Sequence, residues 1–311
     1  MTLDSDSVAP PRIAVAPDGV RAYLGDAIIE AGGVIADLVG ADALIWADPG
    51  DAEGLKRALE INPDLKWVQL PFAGVDKLLD ALDENRVWTS AKGAYGDPVA
   101  EHTLGLALGG LRQISHFSRL TEWTRPAGRS LFGARVTILG AGGLTDSLVR
   151  LLQPFGCHVS VLRRQSLPYD GADFTGTLDD LSQVLPTTDV LFLNLALTPD
   201  TIGVIDGHRL AELPEHTWII NVARGPHIVT SDLVEALKNN QIGGAALDVT
   251  DPEPLPGDHP LWTMDNCIIT PHSANTPEMS VATFSKRVIE NVRRFASGEP
   301  LLGVVDLEVG Y

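Results

Sequence analysis

Cysteine is scarce in this 311-residue chain: Cys157 and Cys267 are the only two, and they form no CxxC pair. They read as reduced structural thiols in strand-like segments, and no metal site is expected. No apolar run is long enough to span a bilayer. Basic residues are few, with 23 Lys and Arg against 41 Asp and Glu and a net charge of −18. Nucleic acids and anionic membranes need clustered Lys and Arg, so neither is an expected partner. Any anionic ligand must be held by local groups against an unfavourable overall field. The opening Met1-Thr-Leu-Asp-Ser-Asp-Ser7 lacks the basic and apolar regions of a signal peptide, which points to the cytoplasm. Residues 1–10 read as disordered, and there are no tandem repeats.

What is present is one rhythm repeated over a length that suits two domains. Short buried strands are expected at Arg12–Ala16, Ala43–Ala47, Lys66–Leu70 and Val87–Ala91. Between them, helices are expected over Val20–Ala31, Ala52–Ile61 and Val75–Leu82. A long helix is expected from Pro98 to Trp123. The alternation then resumes with strands at Arg135–Leu139, Val159–Leu162, Val190–Leu195, Trp218–Val222, Ala245–Val249 and Cys267–Thr270. Helices are expected over Leu178–Leu185, from Thr230 with a hydroxyl N-cap, and over Pro277–Ala296. Strands alternating with helices imply parallel sheets covered on both faces.

The chain is organised around Arg135-Val-Thr-Ile-Leu139, followed at once by Gly140-Ala-Gly142 and by leucines at helical spacing. Strand, glycine turn and helix open a dinucleotide-binding unit. Gly140 permits the tight turn, Gly142 admits a pyrophosphate, and Gly143 and Leu144 open the helix on which it would lie. Thr145 stands where a third glycine or alanine is usual. Its β-branch is expected to push the helix outward or weaken the hold on the cofactor.

Three further segments each end a buried strand, where open α/β sheets bind ligands. They are Asn221-Val-Ala-Arg224-Gly225, Asp248-Val-Thr-Asp-Pro-Glu253 and Thr270-Pro-His272. Taken singly, each reads as a solvated loop. Together with Pro71-Phe-Ala-Gly-Val-Asp76, Val99-Ala-Glu-His102 and Leu197-Thr-Pro-Asp-Thr201, they resemble the D-isomer-specific 2-hydroxyacid dehydrogenases, a family that uses a nicotinamide cofactor. A methyltransferase would share the glycine turn but would not need Arg224, Glu253 and His272 as a set.

The resemblance implies an α/β chain of two doubly wound parallel-sheet domains. Residues 1–100 and 277–311 would form a flavodoxin-like substrate domain. Residues 101–276 would form a Rossmann cofactor domain, with the active site in the cleft between the two. It further implies that Arg224 binds the substrate carboxylate and polarises the 2-oxo group, while His272 exchanges the proton and Glu253 orients His272. Phe72, Ala73 and Gly74 would complete the substrate site, the last two through backbone N–H groups. Asp248 would accept from the nicotinamide carboxamide, and Pro199 and Thr201 would lie on the ribose side. Phe72, Tyr95 and Trp123 would shape the substrate wall. Such enzymes are usually homodimers paired through their cofactor domains. The expected reaction is hydride transfer between the cofactor and a small 2-oxoacid, with glyoxylate and hydroxypyruvate as analogies. The alternative is a degenerate relative that binds the cofactor and acts through protein contacts.

One departure bears on the cofactor. The second strand of the unit ends in Leu162-Arg163-Arg164 rather than in the acid that binds the ribose hydroxyls of NAD. Two cations there favour a 2′-phosphate, so NADP(H) is expected to be preferred, with NAD(H) possible.

Overall fold

The computed structural model describes residues 9–311, so the disorder expected for residues 1–10 falls, but for the last two of them, outside the described part. Two compact units are present: the described residues up to Tyr95 together with Pro277–Tyr311, and Gly96–Thr276.

In the first unit β1 (Arg12–Ala16), β2 (Val34–Ile35), β3 (Ala43–Trp46), β4 (Trp67–Gln69) and β5 (Val87–Thr89) form a parallel sheet in the order β2-β1-β3-β4-β5. The connections include α1 (Tyr23–Glu30) and α2 (Ala52–Ile61). Asp51 caps α2 by accepting from the Gly54 N–H at 2.7 Å, and Leu55, Ala58 and Leu59 are its buried side. The C-terminal helix Pro277–Ser297 returns to this unit and buries Phe284, Val288 and Val292. It is pinned by a buried polar contact, in which Asn291 Nδ2 donates to Gln69 Oε1 at 2.8 Å and to the Leu302 carbonyl at 3.0 Å. The helix expected over Val75–Leu82 is instead a series of tight turns with a single 3₁₀ turn at Leu79–Ala81. Its buried residues Val75, Leu78 and Ala81 recur every third position, the repeat of a 3₁₀ helix rather than of an α-helix.

The second unit opens with α3 (Gly96–Leu111) and α4 (Ile114–Phe117). Here the single helix expected to run to Trp123 is broken, because Gln113 adopts a left-handed φ of 52° and the Leu111 carbonyl accepts from the Arg129 N–H at 2.7 Å. The segment 118–130 that follows is exposed throughout. Seven strands then build a parallel sheet: β6 (Arg135–Leu139), β7 (His158–Leu162), β8 (Phe174–Gly176), β9 (Val190–Leu193), β10 (Trp218–Asn221), β11 (Gly244–Leu247) and β12 (Cys267–Ile269). Between them lie α5 (Gly143–Leu152), α6 (Leu181–Val184), α7 (Gly207–Glu212) and α8 (Thr230–Lys238). The order is β12-β11-β10-β9-β6-β7-β8, which places the reversal of the winding between β6 and β9. Alternation along β9 fills both faces: Leu191 and Leu193 join one core with α8, while Val190 and Phe192 join the other with α3 and α5. Thr230, expected to cap α8, makes no cap hydrogen bond; its hydroxyl donates instead to the Asp251 carbonyl at 2.8 Å.

Among the described residues, no helix is long and apolar enough to cross a membrane. Both cysteines are free thiols, and burial pushes Cys157 up to about 11 and Cys267 to about 12.

Candidate active site

The glycine turn sits at the winding reversal, between the ends of β6 and β9. Gly140 has φ 105°, and a Cβ there would lie 2.4 Å from the Asn194 carbonyl oxygen, so both conformation and space demand glycine. Gly142 has nothing within 4 Å of the place its Cβ would take, and no side chain caps α5. An open approach to the uncapped N-terminus of a helix fits a pyrophosphate. Thr145 does not behave as an intruder. It is fully buried, its hydroxyl donates to the Gly140 carbonyl at 2.9 Å, and it accepts from Asn194 Nδ2 at 3.2 Å. The expected crowding is thus replaced by a fastening between helix, turn and β9.

Arg163 and Arg164 leave the end of β7, the first half-buried and the second exposed. Among the described residues, neither forms an ion pair. Nearby, the Tyr169 hydroxyl donates to Asp146 in the first turn of α5, and burial together with that carboxylate keeps the phenol protonated. Beyond β9, Pro199–Thr201 forms a tight turn in which the Thr201 hydroxyl lies 2.9 Å from the Ala196 carbonyl. His227, which the sequence reading passed over, is fully buried beneath this turn. Its ring nitrogens lie 3.1 Å from the Thr201 carbonyl and 3.3 Å from that of Leu195.

Arg224 follows β10 and is half-buried. Asn221 shapes its backbone from both sides: Nδ2 donates to the Arg224 carbonyl at 2.9 Å and Oδ1 accepts from the Ala223 N–H at 3.0 Å. A Cβ on Gly225 would lie 2.0 Å from the Thr250 carbonyl oxygen, so this glycine lets the loops after β10 and β11 press together.

His272 follows β12 in a left-handed conformation, φ 51°, and its Nδ1 lies 2.9 Å from Glu253 Oε1. Both side chains are open to solvent, His272 by 50% and Glu253 by 39%, so the pair orients more than it stabilises. Asp248, expected to face the nicotinamide, is 1% exposed. Its Oδ1 accepts from Thr270 Oγ1 at 2.5 Å and the Ser273 N–H at 2.8 Å, and its Oδ2 from the Ala274 N–H at 3.0 Å. Burial alone would raise its pKa; hydrogen bonds from His102, Thr270, Ser273 and Ala274 outweigh it and hold the group down at about 2. The carboxylate is therefore occupied within the chain.

Phe72, Ala73 and Gly74 lie in the first unit, on the loop after β4. There Tyr95, expected as part of a pocket wall, is buried, and its hydroxyl donates to the Pro71 carbonyl at 2.6 Å. The Arg21 guanidinium lies 5.4 Å from the centre of the Phe72 ring. Trp123 is fully exposed.

A family model described as D-isomer specific 2-hydroxyacid dehydrogenase, NAD binding domain, matches residues 104–274. The chain belongs to this dehydrogenase family. It is 37% identical over 281 residues to glyoxylate/hydroxypyruvate reductase A of Klebsiella pneumoniae, covering 86% of this chain and 87% of that one. A Xanthobacter autotrophicus dehydrogenase solved with NADPH and MES superposes with a TM-score of 0.84 at 29% identity, over 97% of this chain and 100% of that one. A Sinorhizobium meliloti NADPH-dependent glyoxylate/hydroxypyruvate reductase, solved with NADP and sulfate, gives 0.81 at 28% identity, over the same shares of the two chains. The dehydrogenase is thus an oxidoreductase with two parallel-sheet units of five and seven strands. Histidines 102 and 227 escaped the sequence reading of the site. His102 closes the Val99-Ala-Glu-His102 motif, but nothing local to a helix says which distant strand a histidine will meet.

Proposed function

We propose that this dehydrogenase reduces small 2-oxoacids of the glyoxylate and hydroxypyruvate class, with NADPH preferred and NADH possible. The observation that carries the reading is His272, held in a left-handed turn with Nδ1 on Glu253, beyond the C-terminal end of a strand in the same parallel sheet whose strand β10 leads into Arg224. With Nδ1 engaged, Nε2 is the nitrogen left to give a proton to the 2-oxo oxygen during reduction, or to take it back during oxidation. Arg224 offers the planar fork that grips a carboxylate at two points and fixes the orientation of the oxo group. The Phe72-Ala73-Gly74 loop is assigned to the substrate in the same proposal. Gly140, Gly142, Gly143 and Leu144 would seat the cofactor's pyrophosphate, and Pro199 and Thr201 would flank its ribose. When bound, the cofactor supplies the hydride. Asp248 is assigned to bracing the His272 loop rather than to the carboxamide.

The Klebsiella and Sinorhizobium relatives carry glyoxylate/hydroxypyruvate reductase names, and both solved relatives hold NADPH or NADP, which supports the substrate class and the cofactor alike. Arg163 and Arg164 give the cofactor choice a physical basis. A phosphate charge about 4 Å from a guanidinium gains roughly 1 kcal/mol at water-like screening, and more where the site is partly enclosed. Assays of a 2-oxoacid panel, following the absorbance of NADH and NADPH, test both parts. NADPH is expected to win by at least roughly tenfold in kcat/KM, or ~1.4 kcal/mol, with Arg163→Asp narrowing or reversing the ratio. Equal use of the two cofactors, unchanged in the variant, would make the pair a solvated loop. Cofactor binding without turnover of any 2-oxoacid would leave a binding protein in place of an enzyme.

The same proposal makes the enzyme a cytoplasmic homodimer. Two free thiols suit a reducing compartment. The exposed segment after α3 carries Trp123 and Leu120 with four arginines (112, 119, 125 and 129) against one acid, Glu122, on a chain of net charge −18. Such a surface complements a second copy of the chain.

A further inference from the structure

His102 lies on α3, away from the glycine turn and from Arg224 in sequence, yet it reaches the back of the His272 loop. Its Nε2 is 3.1 Å from Thr270 Oγ1 and 3.4 Å from Asp248 Oδ1. Thr270 has one hydroxyl hydrogen, and it is directed to Asp248 at 2.5 Å. The threonine oxygen can therefore only accept from His102, which requires the proton to sit on Nε2 of the imidazole. Asp248 in turn holds the Ser273 and Ala274 N–H groups, at 2.8 and 3.0 Å. Those are the two residues that follow His272, whose own N–H donates to the Asp248 backbone carbonyl at 2.9 Å.

We infer that His102 is a positioning residue: through Thr270 and Asp248 it fixes the backbone on both sides of His272 and so aims the proton-donating imidazole. The need for such a device lies in His272 itself. A left-handed φ is uncommon for a residue with a side chain and persists only where the surroundings over-determine it. Glu253 orients the ring but is half-open to water and does nothing for the backbone. The clamp behind the loop is nearly closed to solvent: Asp248 is 1% exposed and the His102 side chain 25%. A chain of hydrogen bonds in such a place is stronger than its exposed counterpart, and it loses disproportionately when one member is removed. This inference rests on the reading of His272 as the proton donor, but the clamp can be observed without turnover.

Three variants test it: His102→Ala, His102→Gln and Thr270→Val. Amide hydrogen exchange of residues 272–276 reports the loop directly, and glyoxylate reduction with NADPH reports its consequence. For His102→Ala the exchange of the Ser273 and Ala274 amides should rise at least roughly tenfold and kcat should fall by about the same factor, since a hydrogen bond to a charged network is lost. KM for glyoxylate and Kd for NADPH should stay within about twofold, because neither ligand is touched. His102→Gln keeps a neutral N–H donor at similar reach and should recover most of both effects. Thr270→Val should match His102→Ala, and combining the two should cost no more than either alone, as expected of members of one chain. Unchanged exchange in His102→Ala would overturn the inference, as would additive losses in the double variant. A wild type inert toward 2-oxoacids would strike the functional reading instead, while the exchange data would still judge the clamp.

Discussion

At the scale of single residues, Thr145 inverts the expectation drawn from its place in the glycine turn. A β-branch at the third position suggested crowding, and its removal should then have tightened cofactor binding. The hydroxyl is in fact bound to Gly140 and to Asn194, and the side chain is fully buried. Thr145→Gly should therefore weaken NADPH binding and lower stability by about 1–3 kcal/mol, from the lost burial and the unpaired Asn194 amide. Thr145→Ser should keep most of both, as calorimetry and urea titration would show; tighter binding in the glycine variant would restore the crowding view. Asp248 gives a second residue-scale test. Its folded pKa is held near 2, below its ordinary 3.8. Its contribution is complete above the ordinary value and is lost as pH falls through the folded one. Asp248→Asn should cost about 2 kcal/mol at neutral pH, and the gap to wild type should close as pH falls from about 4 to about 2. A gap that stayed constant through acid titration would assign the carboxylate no such role.

At the scale of elements, α3 owes its seat to a missing side chain. A Cβ on Gly110 would lie 2.3 Å from the Trp218 ring at the start of β10. Both groups are buried, so Gly110→Ala should overpack this contact and destabilise the enzyme by about 1–3 kcal/mol, read from the urea midpoint. Gly105, with nothing within 4 Å of its Cβ position, provides the control, since alanine there should be neutral or stabilising. The sequence showed the elements unevenly, and for physical reasons. β6, α2 and the C-terminal helix announced themselves because each carries a full buried face. β2 and β8 are edge strands of two and three residues, too short to show a period. The end of helix α3 leaves no mark in the sequence, because the left-handed turn at Gln113 uses no glycine or proline. Thr230 has the composition of a cap, yet its hydroxyl serves the Asp251 loop, a choice fixed by tertiary neighbours. The same division holds for the site. Arg224, Glu253 and His272 stand out as candidates because each follows a buried strand. The bracing of Asp248 by His102 could not, since it joins a helix to strands some 150 residues away in sequence.

At the scale of the whole molecule, charge sets the terms of association. With a net charge of −18, two copies repel unless a local surface offsets the field, and the proposed homodimer assigns that part to the arginine-bearing segment after α3. Two of its cations are already engaged, Arg119 with Asp265 at 3.6 Å and Arg129 with Asp189 at 3.7 Å. Arg125→Glu should thus weaken self-association more than Arg119→Glu, by about tenfold in the dimer constant measured by sedimentation, and more so at low salt. A monomer at every concentration, in wild type as in variant, would remove the homodimer. Trp123 lends this question a built-in optical reporter. Of the six tryptophans, Trp46, Trp67, Trp88 and Trp218 are buried, Trp262 is 44% exposed and Trp123 is fully exposed. The red edge of the emission spectrum should therefore belong chiefly to Trp123, and its quenching by acrylamide should fade as concentration rises and the ring becomes covered. Unlabelled protein would then report its own assembly by colour.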